Sequence, residues 1–168
     1  QPLYFERAIS LYDYTEPVGK LVHFFKYNGG RALACPFGEA MGLALLDGGY
    51  AVEAIIPVPL HPARRRERGY NQSELLARAM GLVTGFQVQP EGLLRVAATP
   101  PQARMGRQKR LRNLRGVFAA GAGCSSAGGD IVLVDDVLTT GHTLDECARV
   151  LMQQGAGRVI AATIARVR

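Results

Sequence analysis

The sequence lacks a long hydrophobic run. No stretch of about 18 consecutive apolar residues occurs, although 48% of the 168 residues are hydrophobic. The chain also does not open with the short apolar segment of a signal peptide. We therefore predict no membrane span and expect a cytoplasmic protein. Because the first residue is Gln1 rather than Met, we also expect further residues upstream.

Cysteine is scarce as well. Cys35, Cys124 and Cys147 lie far apart and show none of the paired spacings that are typical of zinc sites. We therefore predict no metal that is held by protein ligands alone. The thiols are expected to be reduced, with Cys147 on the core side of a helix.

Lysine is rare among the basic residues, since 17 of the 20 are arginine, and the formal net charge is +6. The guanidinium group binds phosphate through two parallel hydrogen bonds, so this surplus indicates pyrophosphate, nucleotides or nucleic acid as partners. Charge alone does not distinguish among these partners.

The order of apolar segments predicts an α/β fold. Runs of strand length alternate with amphipathic segments of helix length, which is typical of a parallel, twisted sheet with helices on both faces. The length fits a single domain covering residues 1–168. Leu60–Tyr70 is predicted to be an arginine-rich loop. The predicted strands are Ala8–Tyr14, Ala54–Pro59, Leu93–Ala97, Gly116–Ala119, Ile131–Val134 and Arg158–Ala165, and helices are predicted to begin near Glu16, Leu33, Asn71 and Thr143.

The stretch Ile131–Thr143 is the most informative one. Its four aliphatic residues predict a buried strand, and Asp135 and Asp136 follow at the C-terminal edge, where open parallel sheets bind ligands. Gly141 permits a tight turn, and amides at a helix N-terminus favour a phosphate. Acids beside a phosphate need hydroxyls or a cation to bind, so we interpret the stretch as a sugar-phosphate site. The alternative is that the acids are helix caps or surface charge.

This stretch resembles the signature for phosphoribosyl pyrophosphate (PRPP) of the type I phosphoribosyltransferases. Further segments are similar to the ComF/GntX family of phosphoribosyltransferase-like proteins, and the resemblance covers nearly the whole chain. The matching segments are Lys26–Gly29, Val58–Pro62, Arg68–Gln72 and Thr99–Gln102, with Arg107, Arg110, Asn113 and Phe118. The resemblance implies the type I phosphoribosyltransferase fold with a mobile flap, and it implies binding of PRPP with Mg²⁺. It also implies a role in the uptake of transforming DNA.

The chain departs from the family pattern at two points. Family members usually carry an N-terminal zinc-binding cysteine cluster, which is absent here. Such a cluster either lies upstream of Gln1 or is missing from this protein. His142 stands where small residues are common, so the resemblance implies no contact for its side chain.

The resemblance also implies roles for individual residues. Asp135 and Asp136 are expected to bind the ribose 2′ and 3′ hydroxyls or the waters of Mg²⁺. The 5-phosphate is expected on Val137, Leu138, Thr139, Thr140, Gly141, His142 and Thr143. Pyrophosphate binding or a place in the flap is expected of Lys26, Arg64, Arg68, Asn71, Gln102, Arg107, Lys109 and Arg110.

Plainer interpretations of these basic residues stay open. Lys26 equally suits the C-terminal end of a helix, where it would complement the helix dipole. The arginines after Leu60 and the stretch Gln102–Arg115 are as consistent with a solvated surface as with ligand contacts. His23 and His61 have no visible carboxylate partner, so we assign no catalytic residue.

Two functions remain. The first is an enzyme that transfers phosphoribosyl from PRPP to an unknown nitrogen acceptor and releases pyrophosphate. The second is a non-catalytic protein that binds single-stranded nucleic acid, with competence proteins as partners and a regulatory or vestigial PRPP site. Few aromatic residues lie among the arginines in the sequence, which weakens base stacking as a binding mode. The sequence indicates neither the acceptor nor the oligomeric state.

Overall fold

A computed structural model describes residues 3–27, 29–97, 115–124 and 128–168. The helices in these ranges are α1 (Glu16–Tyr27), α2 (Ala34–Asp47), α3 (Pro62–Arg68), α4 (Gln72–Thr84) and α5 (His142–Gln153), with a 3₁₀ turn at Gly30–Leu33. The strands are β1 (Arg7–Asp13), β2 (Ala54–Pro57), β3 (Gln87–Val88), β4 (Leu93–Arg95), β5 (Phe118–Ala120), β6 (Ile131–Leu138) and β7 (Val159–Arg166). None of these helices has the length and apolar character needed to cross a bilayer.

Five strands form a parallel sheet in the order β1-β7-β6-β2-β3. Successive residues of β6 point to opposite faces, so Ile131 and Leu133 pack on the side of α5. Val132 and Val134 pack on the other side, against α1, α2 and α4. The predicted α/β architecture, with both faces of the sheet covered, is confirmed.

Connections leave β6 and β2 in opposite directions. The chain passes from β6 through α5 to β7 on one side, and from β2 through α4 to β3 on the other. The boundary between β6 and β2 is therefore the point at which the winding of the sheet reverses, and ligands of open α/β sheets bind there.

Four elements differ from the sequence prediction. The predicted loop Leu60–Tyr70 contains helix α3, which the side chain of His61 and the proline at its start favour. This helix has no buried residue, so its sequence lacks the apolar periodicity that would predict a helix. The short edge strand β3 was missed. β4 and β5 form a separate antiparallel pair instead of joining the parallel sheet.

Glycines allow α2 and α4 to pack closely. A Cβ atom on Gly38 would lie 2.4 Å from the Cβ of Ala79 and 2.9 Å from the carbonyl oxygen of Leu76. Both positions belong to rigid parts of α4. The close packing of α2 against α4 therefore requires a residue without a side chain at Gly38. Helix α4 also carries residues of the site described below.

We predict that Gly38→Ala destabilises the protein by about 1–3 kcal/mol, because overpacking at a rigid contact outweighs the gain in helix propensity. Urea unfolding measures the change. Gly19→Ala is the matched control, since its new Cβ would meet the exposed ring of Tyr14, which can turn away. Equal unfolding free energies for the two variants would refute the helix contact as the cause.

Candidate functional site

The two acids of the sequence motif lie where β2 leaves the sheet. The sequence predicted that the two acids follow the strand. Strand β6 instead continues to Leu138, so both acids lie within it. Pairing with β2 nevertheless stops at Val134, whose carbonyl oxygen accepts from the backbone N–H of Val58 at 2.8 Å. Among the described strands, β6 has a neighbour on one side only beyond this point. Asp135 and Asp136 therefore open onto the crevice at the reversal of the sheet.

Each acid uses one carboxylate oxygen for contacts within the protein. Oδ2 of Asp136 accepts from Nε2 of Gln72 at 2.9 Å and pairs with Nζ of Lys26 at 3.0 Å. Oδ1 of Asp135 accepts from Oγ of Ser73 at 3.0 Å and from the backbone N–H of Asp136 at 2.9 Å. Within the described ranges, Oδ2 of Asp135 and Oδ1 of Asp136 have no hydrogen-bond partner.

The charges of this cluster perturb one another. Burial and the neighbouring Asp136 raise the pKa of Asp135 to about 7, although Lys26 and the hydroxyl of Ser73 act in the opposite direction. Burial alone would lower the pKa of Lys26, but its attraction to Asp136 prevails and raises it. Lys26, for which a dipole role and a ligand role were both open, thus lies beside the acids.

A cavity of about 160 Å³ lies in front of the acids. Four basic side chains and the two carboxylates form its charged lining: Lys26, Arg64, Arg68, Arg95, Asp135 and Asp136. With both acids ionised the lining carries a net charge of about +2, and protonation of Asp135 would raise it further. A polyanion with hydroxyl groups suits this combination of charges.

A smaller cavity of about 30 Å³ lies beside the first, at the turn into α5. Asp135 and Thr143 line both cavities, so the two spaces are adjacent. A buried water needs about 10–15 Å³ of such a cavity, so there is room for about two water-sized groups. The cavity is also open to solvent, which gives space for a larger group. Other residues that line it are Val137, Leu138, Thr139, Gly141, His142 and Leu144.

The turn itself presents donors to this small cavity. Gly141 adopts φ 78° before α5, a conformation that other residues rarely adopt. The first N–H groups of a helix have no partner within it, so α5 offers donors and the positive end of its dipole here. Thr140 differs from the other predicted residues, because its hydroxyl contacts Nδ1 of His142 at 3.1 Å and it is absent from the lining.

Arg68 is held beside the cavity by an aromatic residue that the sequence did not predict. Its guanidinium donates to the hydroxyl of Tyr27 at 2.9 Å and to Oε1 of Gln72 at 3.1 Å. The guanidinium carbon also lies 4.6 Å from the centre of the Tyr27 ring. Few aromatic residues lie among the arginines in the sequence, but the fold brings Tyr27 into contact with Arg68, 41 residues away.

Asn71 serves here as a helix cap. Its side-chain oxygen accepts from the backbone N–H of Ser73 at 3.1 Å, and Nδ2 donates to the carbonyl oxygen of Val58 at 3.1 Å. These contacts fix the start of α4 to the end of β2. The predicted flap residues Gln102, Arg107, Lys109 and Arg110 lie outside the described residues.

Sequence reasoning missed several residues of the site. Arg95 comes from β4, where the surrounding apolar residues suggested only a strand; burial, with a contribution from Arg64, lowers its pKa. Gln72 belonged to a matched segment and Ser73 followed it, but neither had been linked to the acids. Their position directly after the cap at Asn71 was the one available signal.

We predict that Asp135→Asn stabilises the ligand-free protein at high pH. A folded pKa near 7 against an ordinary 3.8 means that the native state binds the extra proton, so ionising Asp135 costs stability as pH rises from about 4 to 7. Asn keeps the acceptor oxygen and carries no charge. At pH 8 the variant should be more stable by about 1–3 kcal/mol. The full pKa shift corresponds to a larger free energy, but water in the cavity screens part of it. Urea unfolding from pH 4 to pH 8 tests the claim. If the unfolding free energies of the wild type and the variant change with pH in parallel, the claim is contradicted.

The sequence is similar to proteins that are named for DNA utilisation and for competence. The "DNA utilization protein YhgH" of Salmonella typhimurium is 32% identical over 164 residues, which cover 95% of this chain and 71% of the relative. "Competence protein F" of Haemophilus influenzae is 29% identical over 160 residues, or 92% and 70% of the two chains. "Competence protein ComFC" of Bacillus subtilis is 28% identical, and the match covers 87% of this chain and 58% of that protein.

The fold is similar to that of a solved amidotransferase. Glutamine PRPP amidotransferase from B. subtilis, complexed with ADP and GMP, matches with a TM-score of 0.58 and 16% identity, over 84% of this chain and 30% of that one. The sequence profile of the phosphoribosyl transferase domain matches residues 99–168. The fold is thus the type I phosphoribosyltransferase-like α/β fold, and the chain belongs to the ComF family of phosphoribosyltransferase-like proteins.

Proposed function

We propose that this protein binds PRPP together with Mg²⁺ in the two adjacent cavities and transfers its phosphoribosyl group to a nitrogen acceptor. One observation carries the proposal. Asp135 and Asp136 each leave one carboxylate oxygen without a partner in the described chain, and both acids line a cavity whose other charged residues are all basic. A ribose with two neighbouring hydroxyls and an anionic substituent at each end complements this arrangement.

The parts of PRPP match separate parts of the site. The 5-phosphate would bind at the turn Thr139–Thr143, where a helix begins and donors converge. The ribose would lie over Asp135, which lines both cavities. The pyrophosphate would then lie in the larger cavity, near Lys26, Arg64 and Arg68.

The donor atoms of the site also fit Mg²⁺. This ion prefers oxygen ligands and retains several of its waters, so PRPP oxygens would bind it directly while the carboxylates accept hydrogen bonds from its waters. Each partnerless oxygen of Asp135 and Asp136 has two lone-pair sites, so it could accept from a ribose hydroxyl and from such a water together. When bound, the ion neutralises part of the pyrophosphate charge.

The basic lining suits a reaction in which pyrophosphate leaves. The bond between C1 of the ribose and pyrophosphate oxygen breaks, the pyrophosphate takes the electron pair, and a nitrogen lone pair forms the new bond to C1. Positive charge builds on the sugar ring during this step. The carboxylates stabilise that charge, and the basic side chains stabilise the leaving group, without large reorganisation.

We predict that calorimetry detects binding of PRPP in the presence of Mg²⁺, and that Asp135→Asn combined with Asp136→Asn weakens it at least tenfold. The reason is that the variant loses two charge-assisted acceptors, each worth about 1–3 kcal/mol. Asp13→Asn is the control, because that carboxylate pairs with Arg166 and Arg168 elsewhere on the surface. Absence of binding by the wild type would remove the proposed donor site.

Turnover needs its own measurement. Pyrophosphate release from PRPP across a panel of nitrogenous acceptors separates an enzyme from a PRPP-binding protein. We expect release that depends on one class of acceptor and is lost in the double Asn variant. Binding of PRPP without release under any acceptor would show a regulatory role for the site.

A second candidate function is binding of single-stranded nucleic acid beside this site. The names of the relatives refer to DNA utilisation and competence. The contact between Arg68 and Tyr27 places an aromatic ring among the arginines, and Tyr27 and Phe24 are about half exposed on α1. Exposed rings next to arginines stack bases and contact the backbone phosphates of single strands.

This second candidate predicts that single-stranded DNA binds with strong salt dependence. Contacts to three phosphates would give a slope of about −2 in log affinity against log salt concentration. Tyr27→Ala should weaken binding at least fivefold, because it removes a stacking surface and a partner of Arg68. Tyr12→Ala, an exposed tyrosine next to Asp13, serves as the control. A slope near zero would rule out backbone contacts.

A further inference from the structure

We propose that Gln72 and Ser73 are positioning residues that aim one oxygen of each acid at a ligand, which makes the cavity selective for a 5-phosphorylated sugar with two neighbouring hydroxyls. The inference rests on the proposed function and names the structural basis of its sugar selectivity. It concerns the first turn of α4, which contributes no basic group to the site.

The first turn of α4 is fixed in place before any ligand binds. The two side-chain contacts of Asn71 tie it to its own backbone and to the end of β2. Gln72 is 5% exposed and Ser73 is 1% exposed, so neither side chain has much freedom. Both residues therefore hold their donors at set positions relative to β6.

The two donors act on different acids. The amide of Gln72 binds Oδ2 of Asp136 at 2.9 Å, and the hydroxyl of Ser73 binds Oδ1 of Asp135 at 3.0 Å. The terminal torsion of an aspartate has a broad energy profile, so a carboxylate without such a donor can rotate and exchange its oxygens. With the donors in place, Oδ2 of Asp135 and Oδ1 of Asp136 are the atoms left for a ligand.

Lys26 does not replace these donors. It also contacts Oδ2 of Asp136, but its side chain is 25% exposed and its ammonium group can follow a ligand phosphate. Its contribution to Asp136 is mainly charge neutralisation. Orientation comes from the two buried neutral donors of α4 and, for Asp135, also from the backbone N–H of Asp136, which donates to the same oxygen at 2.9 Å.

Two oriented acceptors recognise two hydroxyl groups. A ligand that lacks one hydroxyl leaves a poorly hydrated carboxylate oxygen unpaired, and sites of this kind reject such analogues strongly. The cavity would therefore distinguish ribose from 2-deoxyribose phosphates. The sugar of DNA would be a poor ligand for this cavity, even if a DNA strand binds elsewhere on the protein.

The test compares ribose 5-phosphate, 2-deoxyribose 5-phosphate and inorganic phosphate by calorimetry. The proteins are the wild type, Ser73→Ala, Gln72→Met and the control Ser10→Ala, whose hydroxyl contacts Thr163 two strands from β6. We expect the wild type and the control to prefer ribose 5-phosphate at least tenfold over the deoxy sugar. Each site variant should lose at least fivefold in affinity for ribose 5-phosphate and keep its affinity for phosphate.

The deoxy sugar separates orientation from general loosening of the site. The variant whose acid faces hydroxyl 2 should bind 2-deoxyribose 5-phosphate as the wild type does, because that ligand no longer uses the acid. The other variant should bind it more weakly.

If both variants lose affinity for all three ligands equally, or if neither changes the sugar preference, the inference is overturned while PRPP binding by the wild type would still stand. Wild-type protein that binds ribose 5-phosphate but not PRPP would instead refute the proposed function, and one that binds neither refutes both.

Discussion

The site depends on the placement of two carboxylates on consecutive residues at a poorly hydrated strand end. Such a pair is unfavourable by itself, since the charges repel each other and burial disfavours ionisation. The raised pKa of Asp135 reflects this cost directly. Lys26, Gln72 and Ser73 offset part of it, from two helices that lie far from β6 in sequence. A fold that keeps an arrangement so unfavourable to stability is typical of a functional site.

The sheet explains why the pair lies where it does. Strand β6 pairs with β2 only as far as Val134, opposite Pro57, but it pairs with β7 as far as Leu138. β2 therefore does not reach the last four residues of β6, and the crevice opens there. The same reversal of winding brings α4 to the side of β2 and α5 to the side of β6. One helix then contacts the acids while the other begins at the glycine turn, so in the proposed function the two parts of a sugar phosphate would meet helices from opposite faces of one sheet.

The sequence predicted those elements of the candidate site that are close together along the chain. Strand, acids, glycine turn and helix follow one another within 131–143, and the structure contains all four in this order, with the acids inside β6 rather than after it. That the turn binds a phosphate stays a prediction. Contacts between distant segments were not predictable. Gln72 and Asp136 are 64 residues apart, and nothing in either segment indicates the other. Arg95 was missed for a related reason, because its strand pairs outside the main sheet.

The most direct test of the account is a crystal structure of the protein with PRPP and Mg²⁺. We expect the 5-phosphate at the turn Thr139–Thr143 and the ribose hydroxyls within hydrogen-bond distance of Oδ2 of Asp135 and Oδ1 of Asp136. The contacts of the acids with Ser73 and Gln72 should be retained. A ribose bound with its hydroxyls away from both acids, or a phosphate bound elsewhere than at this turn, would contradict it.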